Sequence, residues 1–183
     1  MRTAAWGPAR AGSALALALA LAAGTAARAA GRAHEHGVAR LDVVVAADGV
    51  NIELDTPLDN LLGFERAPRT DGERDKVQAT LARLRDGAAL FRIDPAAGCT
   101  LAKVELVSAP LLLGPAVAGP GDHGDLEGRY QFNCRSGAKA GFVEVGLFEA
   151  FAGLKRVEMQ VVTPRGQLKV TLRKPASRVK LAR

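Results

Sequence analysis

The stretch Val38-Ala-Arg-Leu-Asp-Val-Val-Val-Ala-Ala-Asp-Gly-Val-Asn-Ile-Glu-Leu-Asp55 has two halves that share a period of two. In the first, Leu41, Val43 and Val45 face one way and Arg40 and Asp42 the other. In the second, Val50, Ile52 and Leu54 alternate with Asn51, Glu53 and Asp55. Successive side chains of an extended chain point to opposite faces, so each half reads as a strand with one apolar and one wet face. Asp48-Gly49 between them is a strong hairpin signal, because the turn needs residues that accept a positive φ. The chain therefore begins its patterned part with a β-hairpin.

Working outward toward the C-terminus, residues 56–69 break both periodicities. Pro57, Gly63 and Pro68 punctuate them, while Leu58, Leu61, Leu62 and Phe64 require burial. This predicts a structured connector packed on the sheet. Thr70-Asp-Gly-Glu73 has the spacing of a capping box, with Thr70 as N-cap and Glu73 reaching back. Val77, Leu81 and Leu84 follow as a stripe at helical spacing, and Arg74, Lys76, Arg83 and Arg85 take the solvent face. One main helix is expected near 70–86, with Asp86-Gly87 as its stop.

The second half returns to strands. Ala102, Val104 and Leu106 alternate with Lys103 and Glu105, and Leu126, Gly128, Tyr130, Phe132 and Cys134 alternate with Glu127, Arg129, Gln131 and Asn133. Between them lies a Pro/Gly-rich loop at 109–124. Val143, Val145 and Leu147 start another strand leading through Phe148 and Phe151. Val157, Met159 and Val161 precede the turn Thr163-Pro-Arg-Gly166, Leu168, Val170 and Leu172 return, and Val179 and Leu181 add a short last strand. About eight mostly antiparallel strands with one helix define an α+β, sandwich-like class.

Upstream of the hairpin, residues 1–33 read as a secretory leader. Arg2 and Arg10 give a positive start, Ser13–Ala23 is a short apolar run, and Ala27-Arg28-Ala29 and Gly31-Arg32-Ala33 are the two candidate cleavage sites. Ala-Arg-Ala fits the small-residue rule better, so processing is expected after Ala29. The apolar run falls short of the roughly 20 residues that span a bilayer. The expected product is exported and soluble, not inserted in a membrane after processing, with residues 34–183 forming a single β-rich domain. The whole chain carries +6, but without the four arginines of residues 1–33 there remain 21 basic against 19 acidic residues. The basicity therefore gives no reason to expect nucleic acid as a partner.

Chemistry-bearing residues are few. Cys99 and Cys134 are the only cysteines. In an oxidising compartment an even pair most simply forms one disulfide; a metal-binding pair is the minor alternative, since no C-x-x-C spacing is present. The chain lacks G-x-S-x-G, H-E-x-x-H, a phosphate loop and G-x-G-x-x-G, and Ser108, Ser136 and Ser177 have no histidine near in sequence. No enzyme is expected. Two of the three histidines sit in His34-Glu35-His36-Gly37. Two imidazoles around a carboxylate suit zinc, copper or nickel, and in an extended segment His34 and His36 point the same way. Asp122 and His123, at the end of the loop, are further candidate ligands with Glu35. Cleavage after Ala33 would make His36 the third residue, with a square-planar site of amine, amide and imidazole nitrogens that favours copper or nickel over zinc. The reading from a different class is a metal-independent envelope module whose histidines are incidental.

Five pieces occur in a fixed order: His34-Glu-His-Gly37, Pro57-Leu-Asp-Asn-Leu-Leu-Gly-Phe-Glu-Arg-Ala-Pro68, the pair Cys99 and Cys134, Leu147-Phe-Glu-Ala-Phe151 and Thr163-Pro-Arg-Gly-Gln167. Together they resemble the ZrgA-type periplasmic zinc-uptake accessory proteins over essentially all of residues 34–183. The resemblance implies a zinc-binding protein that helps an ABC-type importer, or the binding protein of one, acquire a divalent metal ion. Relatives of this type carry a long His/Asp/Glu-rich loop where this chain has 109–124, which ends in Asp122-His123-Gly124-Asp125. They also often place histidine where this chain has Arg66. Both departures remove imidazoles and leave the His34/His36 pair in place.

Overall fold

The structure is a computed structural model that describes residues 35–115 and 124–181; residues 1–34, 116–123 and 182–183 lie outside these. The expected hairpin forms as β1 (Val38–Val45) and β2 (Gly49–Pro57), paired antiparallel from Val45↔Val50 to Arg40↔Asp55. Leu41, Val43, Val45, Val50, Ile52 and Leu54 are all buried, as the period of two requires.

Four more strands extend this hairpin into a six-stranded sheet. They are β4 (Cys99–Val107), β5 (Asp125–Cys134), β7 (Arg156–Thr163) and β8 (Gly166–Arg173), and the sheet order is β4-β5-β2-β1-β7-β8. Among the described strands only β1 and β7 run parallel, with Val43 beside Val161, and a parallel neighbour demands a long connection. That connection holds the helices together with β3 (Phe91–Ile93) and β6 (Phe142–Val145), which form a second sheet with β9 (Arg178–Lys180), the strand after β8, in the order β3-β6-β9. Among the described residues, nine strands in two mostly antiparallel sheets give the α+β, β-rich class that the patterning predicts. Inner side chains of the large sheet share one apolar cluster with the small sheet and with the helix stripe of Val77, Leu81 and Leu84.

The connector contains α1 (Asp59–Leu62), a single helical turn that buries Leu58, Leu61 and Leu62. The main helix α2 spans Asp71–Arg85, and its capping box is complete: Thr70 Oγ1 accepts from the Glu73 amide at 3.2 Å, and the Glu73 carboxylate accepts from the Thr70 amide at 3.4 Å. Disulfide bonding joins Cys99 to Cys134, which face each other across β4 and β5, so neither thiol is available to a metal.

The helix stops at Asp86-Gly87 as expected: α2 ends at Arg85 with Asp86 as its C-cap, and Gly87 opens α3 (Gly87–Leu90), N-capped by the Asp86 side chain. A glycine is required there by space, since a Cβ would lie 2.6 Å from the Tyr130 ring. Two local expectations are corrected. In β4 a register shift between Leu101 and Lys103 resets the alternation, so Leu101 packs on the core while Ala102 is exposed. Leu147 to Phe151 does not extend β6. Leu147–Ala150 is the helical turn α4, which buries Leu147 and Phe148.

Candidate metal centre

Two of the candidate ligands, Glu35 and His36, directly precede β1. Residues 36 and 37 form a turn, and the strand begins at Val38. Gly37 takes φ +83°, a region that favours glycine. Its carbonyl accepts from the amides of Lys155 (2.8 Å) and Arg156 (2.9 Å), the residues that lead into β7.

On the other side the turn is held by Asn60. This side chain is 3% exposed and fully occupied. Its Oδ1 accepts from the Gly37 amide, and its Nδ2 donates to the Val38 carbonyl (2.8 Å) and to Thr56 Oγ1 (2.9 Å). A buried amide with its donors and acceptor engaged is rigid, and here it fastens the start of β1 to the connector of residues 56–69.

That connection brings two carboxylates to His36. Its Nε2 lies 2.9 Å from Glu65 Oε1, and its Nδ1 lies 3.6 Å from Asp59 Oδ2. The imidazole is 65% exposed, so solvent and ions reach it. A carboxylate hydrogen-bonded to an imidazole fixes the orientation of the ring. The two carboxylates stand on different ring nitrogens, so they do not converge on one point. Among the described residues no group of three or more His, Cys, Asp or Glu side chains is placed to hold a metal ion.

The opening between His36 and Glu65 is nonetheless close to what zinc needs. Zn–N and Zn–O bonds of about 2.1 Å at a tetrahedral angle put the two donor atoms about 3.4 Å apart. Separating Nε2 and Oε1 by about half an ångström admits the ion. Both side chains are exposed enough to turn by that amount.

Glu35 stands apart from this pair. Its carboxylate accepts from Arg156 Nη2 at 2.7 Å, and Arg156 also pairs with Glu158 at 3.1 Å. Serving a metal would require Glu35 to leave this guanidinium. Arg66 is likewise committed. Its two terminal nitrogens donate to the Glu73 carboxylate at 2.9 and 2.7 Å, and it lies 5.0 Å over the Phe64 ring. The Arg66 guanidinium and the Arg69 amide hold the Glu73 carboxyl down to about 2.

His34, Asp122 and His123 lie outside the described residues. Gly124, the first described residue after them, lies against the candidate centre. Its carbonyl accepts from the Leu58 amide at 2.6 Å, and a Cβ at 124 would fall 2.2 Å from the Glu65 carbonyl oxygen. Only glycine permits this approach without displacing the backbone beside Glu65. Three segments distant in sequence thus meet at one place: the turn with His36, the connector with Asp59 and Glu65, and the return of the loop.

Asp59, Asn60 and Glu65 are missing from the candidates read in the sequence. They lie 22 to 29 residues from their partners at positions 36–38, and their one sequence signal is membership of the Pro57–Pro68 piece.

No curated protein matches the chain. A family model does, and it spans residues 33–181. Its description is ZrgA family zinc uptake protein, and the match takes in the His36 turn, the connector and both cysteine-bearing strands. With four-fifths of its length matched, the chain belongs to the ZrgA family of zinc uptake proteins.

Proposed function

We propose that the protein is an exported, periplasmic zinc-binding accessory protein that delivers its cargo toward an ABC-type importer, and that it is not an enzyme. Family membership supports a role in zinc uptake. The observation that carries the finer reading is the exposed His36 imidazole with Glu65 at 2.9 Å on Nε2. One neutral imidazole and one carboxylate make a borderline-soft and hard pair that suits zinc and leaves positions open for release to a partner.

His36 and Glu65 form the described nucleus of the site. His34, Glu35, Asp122 and His123 remain the candidates for completing it. Asp59 adds a second carboxylate 3.6 Å from Nδ1. A carrier needs reversible binding, and an exposed site with few protein ligands releases zinc more readily than a closed four-ligand site.

Isothermal titration of the exported, processed protein with Zn²⁺ tests this reading. A site with Kd tighter than about 10⁻⁶ M is expected. His36→Ala and Glu65→Gln should each weaken it by about tenfold or more, the range seen when ligands or their partners are removed. No heat and no thermal shift at ten equivalents of zinc would defeat the proposal. So would an affinity that both variants leave unchanged.

A further inference from the structure

Charge is unevenly divided along the chain. Residues 34–158 carry 14 basic and 19 acidic side chains, whereas no acidic residue follows Glu158. The described cations of that last part are Arg165, Lys169, Arg173, Lys174, Arg178 and Lys180. Arg178 pairs with Glu144 at 3.4 Å, and Lys174 lies 5.9 Å over the Phe148 ring. Lys169, Arg173 and Lys180 have no ionic partner among the described residues.

Lys169 and Arg173 belong to β8, which ends the large sheet. Among the described residues no strand pairs with its outer edge. The opposite end of the sheet, β4, is interrupted by the bulge at Leu101/Lys103, a device that discourages pairing. In contrast, β8 follows β7 without a register shift from Thr163↔Gly166 to Arg156↔Arg173. Among the described residues the outer edge of this strand therefore meets no partner strand until its end, where the Arg173 carbonyl accepts from the Ala176 amide at 2.8 Å.

The side chains of β8 divide by face. Lys169, Thr171 and Arg173 are exposed on the outer face. On the inner face Leu172 is buried, but Leu168 and Val170 are only half-buried, so the apolar layer is left open along this edge. A groove of about 330 Å³ adjoins the first half of the strand, lined by Thr163, Arg165, Leu168, Lys169 and Leu181.

We propose that the outer edge of β8 and this groove form a docking surface for an extended segment of a partner protein that alternates acidic and apolar residues. Added as a seventh strand, such a segment sets carboxylates beside Lys169 and Arg173 and apolar side chains beside Leu168 and Val170. A second copy of this chain is disfavoured on the same edge, because β8 against β8 brings cations together. Lysine alone on an edge strand serves to prevent pairing. The half-buried leucine and valine row and the groove beside it are what a purely protective edge lacks.

The surface is tested on the metal-free, full-length exported protein, independently of the zinc site. The probe is a fluorescein-labelled nine-residue peptide alternating glutamate and valine, with a lysine–valine peptide as control. Saturable binding of the glutamate peptide is expected, with slowed hydrogen exchange of β8 amides. The exposed double variant Lys169→Glu, Arg173→Glu should weaken it by about tenfold or more. No binding, or equal binding of the lysine peptide, overturns the proposal. So does binding of phosphatidylglycerol vesicles in preference to the peptide with β8 amides unchanged, which would assign the charge to a membrane surface instead.

Discussion

At the scale of single residues, Asn60 holds the candidate centre together. Its side chain touches no candidate ligand, yet it bonds the two residues after His36 and, one residue along the chain, Asp59 depends on its placement. Asn60→Ala leaves the Gly37 amide and the Val38 carbonyl without their side-chain partners in a buried setting. Leaving buried polar groups unsatisfied costs about 1–3 kcal/mol each, so a loss of about 2–4 kcal/mol in urea unfolding is expected. Zinc affinity should also fall, because His36 and Glu65 are no longer held in register. A variant with unchanged stability would show that water replaces the amide. His36 itself was legible in the sequence as one histidine of a rare pair. Glu65 was not, because nothing local marks a carboxylate 29 residues away as its neighbour.

At the scale of elements, alternation and capping were legible and interruptions were not. The hairpin, β5, β7, β8 and the capping box all announce themselves by local chemistry, and each forms where its pattern places it. The β4 bulge has no such signal: Leu101 and Ala102 are both compatible with either face, and pairing with β5 decides between them. Leu147 to Phe151 misleads for a related reason, since a short apolar run suits a strand or a buried helical turn equally. The start of α2 has a further property. Glu73 caps the helix and also receives Arg66 and the Arg69 amide, which together lower its carboxyl pKa from 4.5 to about 2. A carboxyl depressed in the folded state contributes stability above its unfolded value, and that contribution is lost as pH falls from about 4.5 through 2. An NMR titration of the Glu73 side chain should therefore give a midpoint near 2. Arg66→Ala should move that midpoint upward toward 4.5, and a midpoint that stays put would assign the shift to the backbone amides alone.

At the scale of the whole molecule, the fold is tied across its long connections. The six-stranded sheet depends on pairings between segments far apart in the chain, such as β1 with β7 and β2 with β5. The composition announced a β-rich class, but this strand order could not be read from periods, because a pattern fixes which face is apolar and leaves the neighbour open. The cysteine pair is the one long-range contact that simple counting did reach. It joins residues 35 apart and fastens β4, an edge strand whose one pairing among the described strands is with β5. On the chain-entropy model, closing a loop of this length stabilises the folded state by about 4 kcal/mol. For a chain of this size that corresponds to a melting temperature lowered by about 8–16 °C on reduction. Calorimetry with and without reductant measures it, and the double variant Cys99→Ser, Cys134→Ser controls for effects of the reductant. The variant should melt with the reduced protein and be unaffected by further reductant. Because the loop that the disulfide closes returns at Gly124 beside Glu65, zinc affinity should weaken in the same reduced sample. A reduced protein that melts within a degree or two of the oxidised one would mean that β4 is held by its pairing with β5 alone.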